Sequence, residues 1–324
     1  MNIKAVTRIA GILILSFIIG VSLEAQTRND VIKVYNEGAK AMQSDIPAAI
    51  KAFEQTIVLA DEVGESAADL KQNAIKVLPG LYFKAAYNDL NEKKPAREII
   101  QSARIAAEAG DKYGSPSNKE NAEKILVQAY NTLATDYFSN NDFENAITTF
   151  DSVLAINPGF TTAIYNKALI YIQQGNSDAF EQTIDLFLEK LEGGKDDERG
   201  KQASTMALEY FRVAGSRANQ AENLDEAITM LNKAAKYGDD KDLFYFFADV
   251  YNKQKNFDKG LEFGQKGLAI ETGDAEAKAK FHYQIAVAQA GKGQTAAACA
   301  SFKNSLFGAF AEASKAQRSN LKCE

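Results

Sequence analysis

The sequence contains no tryptophan, one histidine, two cysteines and five prolines in 324 residues. The lone His282 excludes a histidine-pair zinc site of the HExxH kind and argues against a Ser/His/Asp triad. Cys299 and Cys323 are too few for a four-cysteine zinc site or a disulfide-scaffold miniprotein. So few prolines permit long helices. Positive charge is also in deficit. The 37 Lys+Arg against 43 Asp+Glu give a net charge of −6, with a pI near 5.2. That is the reverse of a nucleic-acid binder's basic footprint, so no nucleic-acid partner is expected. The 46% hydrophobic and 25% charged residues are ordinary for a folded soluble chain. Gly291-Lys292-Gly293 lacks the spacing of a phosphate-binding loop. The glycine-flanked charged run Gly193-Gly194-Lys195-Asp196-Asp197-Glu198-Arg199-Gly200 lacks the ligand spacing of a calcium loop and reads as a solvated connection. No cofactor, metal or catalytic residue is expected.

Residues 1–25 differ from everything after them. Lys4 and Arg8 precede an apolar run from Ile9 to Val21, followed by Ala25 and the polar Gln26-Thr27-Arg28. This is the layout of a secretory signal with cleavage after Ala25. The apolar run is shorter than the ~18–20 residues that span a bilayer comfortably. An uncleaved N-terminal anchor is the alternative. The expected location is across the inner membrane, periplasmic or outer-membrane-associated, with no membrane insertion once the signal is removed.

From Gln26 onward, apolar residues recur at helical spacings of three and four, and no long alternating strand pattern occurs. The breakers fall at intervals and mark no domain linker. In 127–160, Tyr130, Leu133, Ala134 and Tyr137 share one helix face. Asn140-Asn141-Asp142 makes a turn. Phe143, Ala146, Phe150, Val153 and Leu154 form a second helix, which Pro158 ends. Ala134 and Ala146 suit the closest approach of two helix backbones, with the large residues filling the space around them. Asn141 suits the left-handed residue that stops the first helix.

This unit resembles the tetratricopeptide repeat, a helix–turn–helix module of about 34 residues. Tyr130 stands at the bulky first-helix position. The frame recurs at 208–241 (Phe211, Gly215, Ala227, Leu231), at 241–274 (Phe244, Ala248, Tyr251, Gly260, Gly267) and at 279–312 (Ile285, Ala286, Ala298, Phe302). It is weaker near 29–62 and 77–110, whose small-residue anchors Ala49 and Ala96 are spaced more widely than the repeat. Those units call for longer helices or inserted turns, and Pro79-Gly80 is expected to kink the helix entering the second. In 161–194 the second helix reads as slipped, with Thr183, Phe187 and Leu191 about three residues late. The resemblance implies an all-α, right-handed α-solenoid of about seven such units over residues 26–324, closed by a capping helix at 309–324. Tyr130, Phe211, Phe244 and His282 occupy places where the family often has tryptophan.

The turns 140–143, 222–225 and 255–258 share one grammar. A helix-stopping Asn comes first, then a buried apolar residue, then an acidic residue that favours the next helix N-terminus.

Stacked repeats expose a groove lined by the first helix of each pair. The resemblance places Asn131, Tyr165, Leu169, Arg212, Ser216, Tyr245, Asp249 and Tyr283 along it. It implies binding of other proteins or peptides and a non-catalytic adaptor of the bacterial envelope. The tyrosines are alternatively partly buried wall residues. The Lys/Asn clamp by which chaperone-docking members hold a carboxylate terminus is missing. Other readings are an envelope hydrolase or glycan-acting protein with carboxylates in the groove, and an inner-membrane-tethered interaction protein. The tail resembles a capping helix. If it folds back near Gly308, Cys299 and Cys323 come close enough to pair, and two independent thiols are the alternative.

Overall fold

The computed structural model describes residues 26–191 and 197–324. The signal segment, and Gly193 to Asp196 of the charged run, lie outside the described residues. The chain divides into two compact units, Met1–Leu126 and Val127–Glu324. The sequence marks no linker there because the division falls inside a continuous helix.

The described residues are helical hairpins in chain order. In the first unit α1 (Arg28–Ala41) pairs with α2 (Ile46–Val63), and α3 (Ala68–Asn91) with α4 (Ala96–Lys112). A 3-10 turn, Glu65–Ala67, leads into α3. Helix α5 (Pro116–Ser139) carries the division between the units. In the second unit follow α6 (Phe143–Ile156), α7 (Thr161–Gln173), α8 (Ser177–Lys190), α9 (Glu198–Gln220), α10 (Leu224–Ala235), α11 (Lys241–Lys253), α12 (Phe257–Ile270), α13 (Ala275–Gly291) and α14 (Thr295–Asn304). A 3-10 turn, Gly308–Phe310, and α15 (Ala311–Asn320) end the chain. No described helix is long and apolar enough to cross a membrane.

The wide spacing of the early anchors comes from helix length. α3 and α5 each have 24 residues, against 14 in α6 and 13 in α7. Helix α3 continues through Pro79 as one element.

Hairpin cores are built as the pattern dictates. Ala134 and Ala146 are fully buried beside Phe150 and Val153. In the first unit Phe53 packs with Ala49, Ala74 and Leu78, and Tyr35 meets its ring edge-on at 5.3 Å. Helix α8 is not slipped. It starts at Ser177, directly after its cap Asn176, whose side chain accepts from the Ala179 amide at 3.1 Å. What changes is residue type: fully buried Phe180 occupies the small-residue position and packs on Tyr210 and Phe211 at 4.8 and 5.5 Å. Ile184, Phe187 and Leu188 complete the buried face.

The turn grammar needs one correction. Asn141 takes the left-handed conformation, with φ 58°, as expected. In the later turns the left-handed residues are Glu222 and Lys255, with φ 62° and 60°. Asn223 and Asn256 come one residue later, as N-caps of α10 and α12. The conformation belongs to the position after the helix, so an exposed Glu or Lys bears its modest cost. The Asn256 side chain instead accepts from the Lys259 amide at 3.4 Å, serving the helix that follows.

The cap is covalently closed. Cys299 on α14 and Cys323 form a disulfide with Cα atoms 5.6 Å apart. The Ser305 and Ser314 hydroxyls meet at 2.7 Å, and Arg318 donates to the Cys299 carbonyl at 2.7 Å. Leu321 packs against the last core cluster of Ala286, Ala298 and Phe302. Closing a loop of 24 residues' separation contributes about 3 kcal/mol by the loop-entropy model. The Cys299→Ser/Cys323→Ser variant is therefore expected to melt several degrees lower. Equal melting temperatures for variant and parent would show that the non-covalent contacts alone hold the cap.

Candidate partner-binding face

In the second unit, α11 packs against both α9 and α13, so the first helices of successive hairpins form one side of the stack. On that side an open concavity of about 580 Å³ is lined by residues of four elements. Helix α9 gives Arg212, Val213, Ser216, Arg217 and Gln220, a single face at helical spacing. Helix α11 gives Asp242, Tyr245 and Phe246, α13 gives Lys280, and the C-terminal 3-10 turn gives Phe310.

Three of the residues expected to face a groove thus meet in one cavity: Arg212, Ser216 and Tyr245. Arg212 is pinned by an ion pair with Asp240, the N-cap of α11, whose other oxygen accepts from the Leu243 amide at 2.6 Å. Tyr245 is half-buried. Its ring meets those of Phe246, Phe281 and Phe310 at 5.3, 6.3 and 6.4 Å, with the Lys280 ammonium 5.6 Å above it.

Tyr165 lines a separate cavity of about 240 Å³ with Thr162, Phe187, Arg199 and Gln202. Its ring packs on Phe187 at 5.1 Å. Asp249 is committed within the protein. It accepts from Asn219 at 2.6 Å and Gln284 at 2.9 Å, and pairs with Lys253 at 3.1 Å. Buried Asn252 donates to Gln284 and extends this network across α11 and α13. Such a network positions the helices against one another, because each buried polar group needs its partner. Tyr283 is a wall residue between Phe302 and Phe310, 5.6 and 5.3 Å away. Asn131 on α5 and Leu169 on α7 are half-buried and line neither cavity. His282 is also half-buried, and burial followed by the charge of Lys278 lowers its pKa.

The frame missed Val213, Arg217, Gln220, Asp242, Phe246, Lys280 and Phe310. The residues of α9 were within reach, since they continue the stripe of Arg212 and Ser216 at helical spacing. Phe310 carried no signal, because a tail residue has no repeat register.

The phenol of Tyr245 is pushed up to about 12, chiefly by burial and then by the charge of Asp249, while a hydrogen bond with Gln284 works the other way. Burial is also the main cause raising Tyr82 and Tyr237. The folded state therefore favours the neutral phenol. This contribution is complete below the unfolded tyrosine pKa of about 10 and is lost as pH rises through about 12. In an alkaline absorbance titration, Tyr245→Phe is expected to remove a component with midpoint near 12. An unchanged late phase in that variant would show Tyr245 to be freely solvated.

The geometry defines a helical-hairpin repeat protein with a concavity on the first-helix side of its second unit. Residues 137–193 match the tetratricopeptide repeat family. Members of that fold typically mediate protein–protein interaction and are typically non-catalytic. No curated protein matches the chain significantly. Among solved structures, a MamA protein is 20% identical, covering 61% of this chain and 96% of its own, with a TM-score of 0.33. A tetratricopeptide repeat protein from Parabacteroides merdae ATCC 43184 is 16% identical, covering 90% and 98%, with a TM-score of 0.29. The P58(IPK) TPR domain is 13% identical, covering 90% and 98%, with a TM-score of 0.31. Likenesses this weak carry nothing about what this chain binds.

Proposed function

We propose that the protein is an exported, non-catalytic adaptor of the bacterial cell envelope, periplasmic or outer-membrane-associated, which binds segments of partner proteins on the first-helix face of its second unit. The observation that carries this reading is the concavity shared by α9, α11, α13 and Phe310. It joins exposed apolar surface, with Val213 44% exposed, to polar and aromatic side chains of the types found at interface hot spots. The one carboxylate among the described lining residues, Asp242, and two others beside the cavity are already paired. Asp240 holds Arg212, Asp242 holds Lys280 at 2.5 Å, and Asp249 holds Lys253. That speaks against the hydrolase reading, which needs a carboxylate free to move protons.

Because Arg212 and Tyr245 also hold the fold together, exposed Val213 and half-buried Ser216 are better handles. In affinity capture from native envelope fractions, Val213→Asp/Ser216→Trp is expected to lose partners that the parent and a Thr229→Arg control on α10 both retain. Retention of every partner by the double variant would remove the groove assignment. The export reading has its own test. N-terminal sequencing is expected to find a chain starting at Gln26, and a start at Met1 would favour the membrane tether.

A further inference from the structure

Resting on that reading, we propose that the concavity takes a segment of a partner protein carrying a large apolar side chain and, within a few residues of it, an acidic one, whose carboxylate is received by Arg217.

The walls divide by chemistry. Val213, Tyr245, Phe246 and Phe310 give an apolar and aromatic surface. The three cations of the lining are not equivalent. Arg212 is neutralised by Asp240 and Lys280 by Asp242. Arg217 is exposed, lies one residue from Ser216 on the same helix face, and has no carboxylate partner among the described residues. A ligand that covered this surface without a negative charge would take an unpaired guanidinium out of water with nothing to compensate it. A basic segment would add repulsion. A carboxylate turns the same burial into a charge-assisted pair of the kind a guanidinium fork can make with both oxygens. Arg217 also lies in the last turn of α9, where a cation favours the helix dipole. That role acts on stability and leaves ligand choice untouched.

Phe310 adds the second element of selectivity. Among the described residues it is the sole lining residue from outside α9, α11 and α13. It reaches the site because the C-terminal turn folds back onto α13 and the disulfide fixes the tail behind it. Its ring, flanked by Tyr245 and Tyr283, forms an aromatic end wall suited to a flat or branched apolar side chain. The cavity volume falls in the range of ordinary ligand sites, about 300–1,000 Å³.

The test uses a random-peptide phage library on the full chain, with enriched peptides resynthesised and measured by fluorescence anisotropy. Enriched sequences are expected to share Asp or Glu within a few residues of Phe, Tyr, Leu or Ile. Arg217→Glu should weaken them about tenfold or more, and reselection on that variant should enrich Lys or Arg in place of the acid. Phe310→Ala should relax the apolar preference. Far-UV circular dichroism and melting curves verify that both variants are folded. Peptides that bind the parent without an acidic residue, or that bind Arg217→Glu equally well, overturn the proposal while leaving the groove reading intact. Failure to enrich any peptide over the Val213→Asp/Ser216→Trp background overturns the groove reading and the proposal with it.

Discussion

Phe211→Ala is expected to cost about 3–5 kcal/mol of stability, the range for removing a large aromatic from a close-packed core. Phe211 on α9 is fully buried. It packs on Phe180 of α8 at 5.5 Å, on Tyr237 beyond α10 at 6.0 Å, and carries the Lys233 ammonium 5.6 Å over its ring. Successive hairpins therefore share one side chain, and its truncation loosens interfaces on both sides of α9. In a repeat stack, stability is nearly a sum of neighbour terms, so weakening the interfaces on both sides of α9 lowers the stability of the second unit directly. Urea denaturation should show a lower midpoint, while Phe307→Ala, at a site 43% exposed, should leave it nearly unchanged. Equal midpoints for Phe211→Ala and the parent would mean that the cluster around α9 is not a core.

Gly267→Ala carries an expected sign opposite to the rule for helices. Replacing a mid-helix glycine with alanine ordinarily stabilises by about 0.5–1 kcal/mol. A Cβ at 267, however, would lie 2.2 Å from Cε1 of Phe281, whose side chain is fully buried. The aromatic ring fills the space that a larger residue needs, so α12 and α13 must separate or the ring must leave its place. Overpacking of this kind costs about 1–3 kcal/mol, which outweighs the helix gain. Gly80→Ala is the internal comparison. A Cβ there meets nothing within 4 Å, so the ordinary stabilisation should appear. Chemical denaturation of the two variants reads both signs. Stabilisation by Gly267→Ala would contradict the close approach of α12 to Phe281.

The sequence made hairpin packing legible where a small residue marks a helix crossing and a turn residue marks the reversal. Ala134, Ala146 and Ala227 are all fully buried, and the loops after α5, α9 and α11 fall where the repeated turn places them. Reading by residue type failed where size departed from register. Phe180 takes a small residue's position while the backbone stays in step, so α8 looked displaced. Asparagine tolerates left-handed backbone, which suggests that Asn223 and Asn256 end the helix before them, yet both stand at the N-cap of the helix after, and the Asn256 side chain bonds to it. At the partner-binding face, the family frame reached Arg212, Ser216 and Tyr245. It could not tell a neutralised cation from a free one. Arg212 meets Asp240 and Lys280 meets Asp242 across 28 and 38 residues, and pairing at that range is a property of the stack. Phe310 enters from a tail that no periodicity locates.

The assignment of the first-helix face as the binding surface is tested most directly by site-specific photocrosslinking in the native host. A photoreactive phenylalanine analogue is placed at Ser216 on α9, or at exposed Thr229 on α10. Partner adducts from position 216, lost on adding Val213→Asp and absent from position 229, are the expected result. Adducts from position 229 with none from 216 would place the interaction on the other side of the hairpins and contradict the assignment.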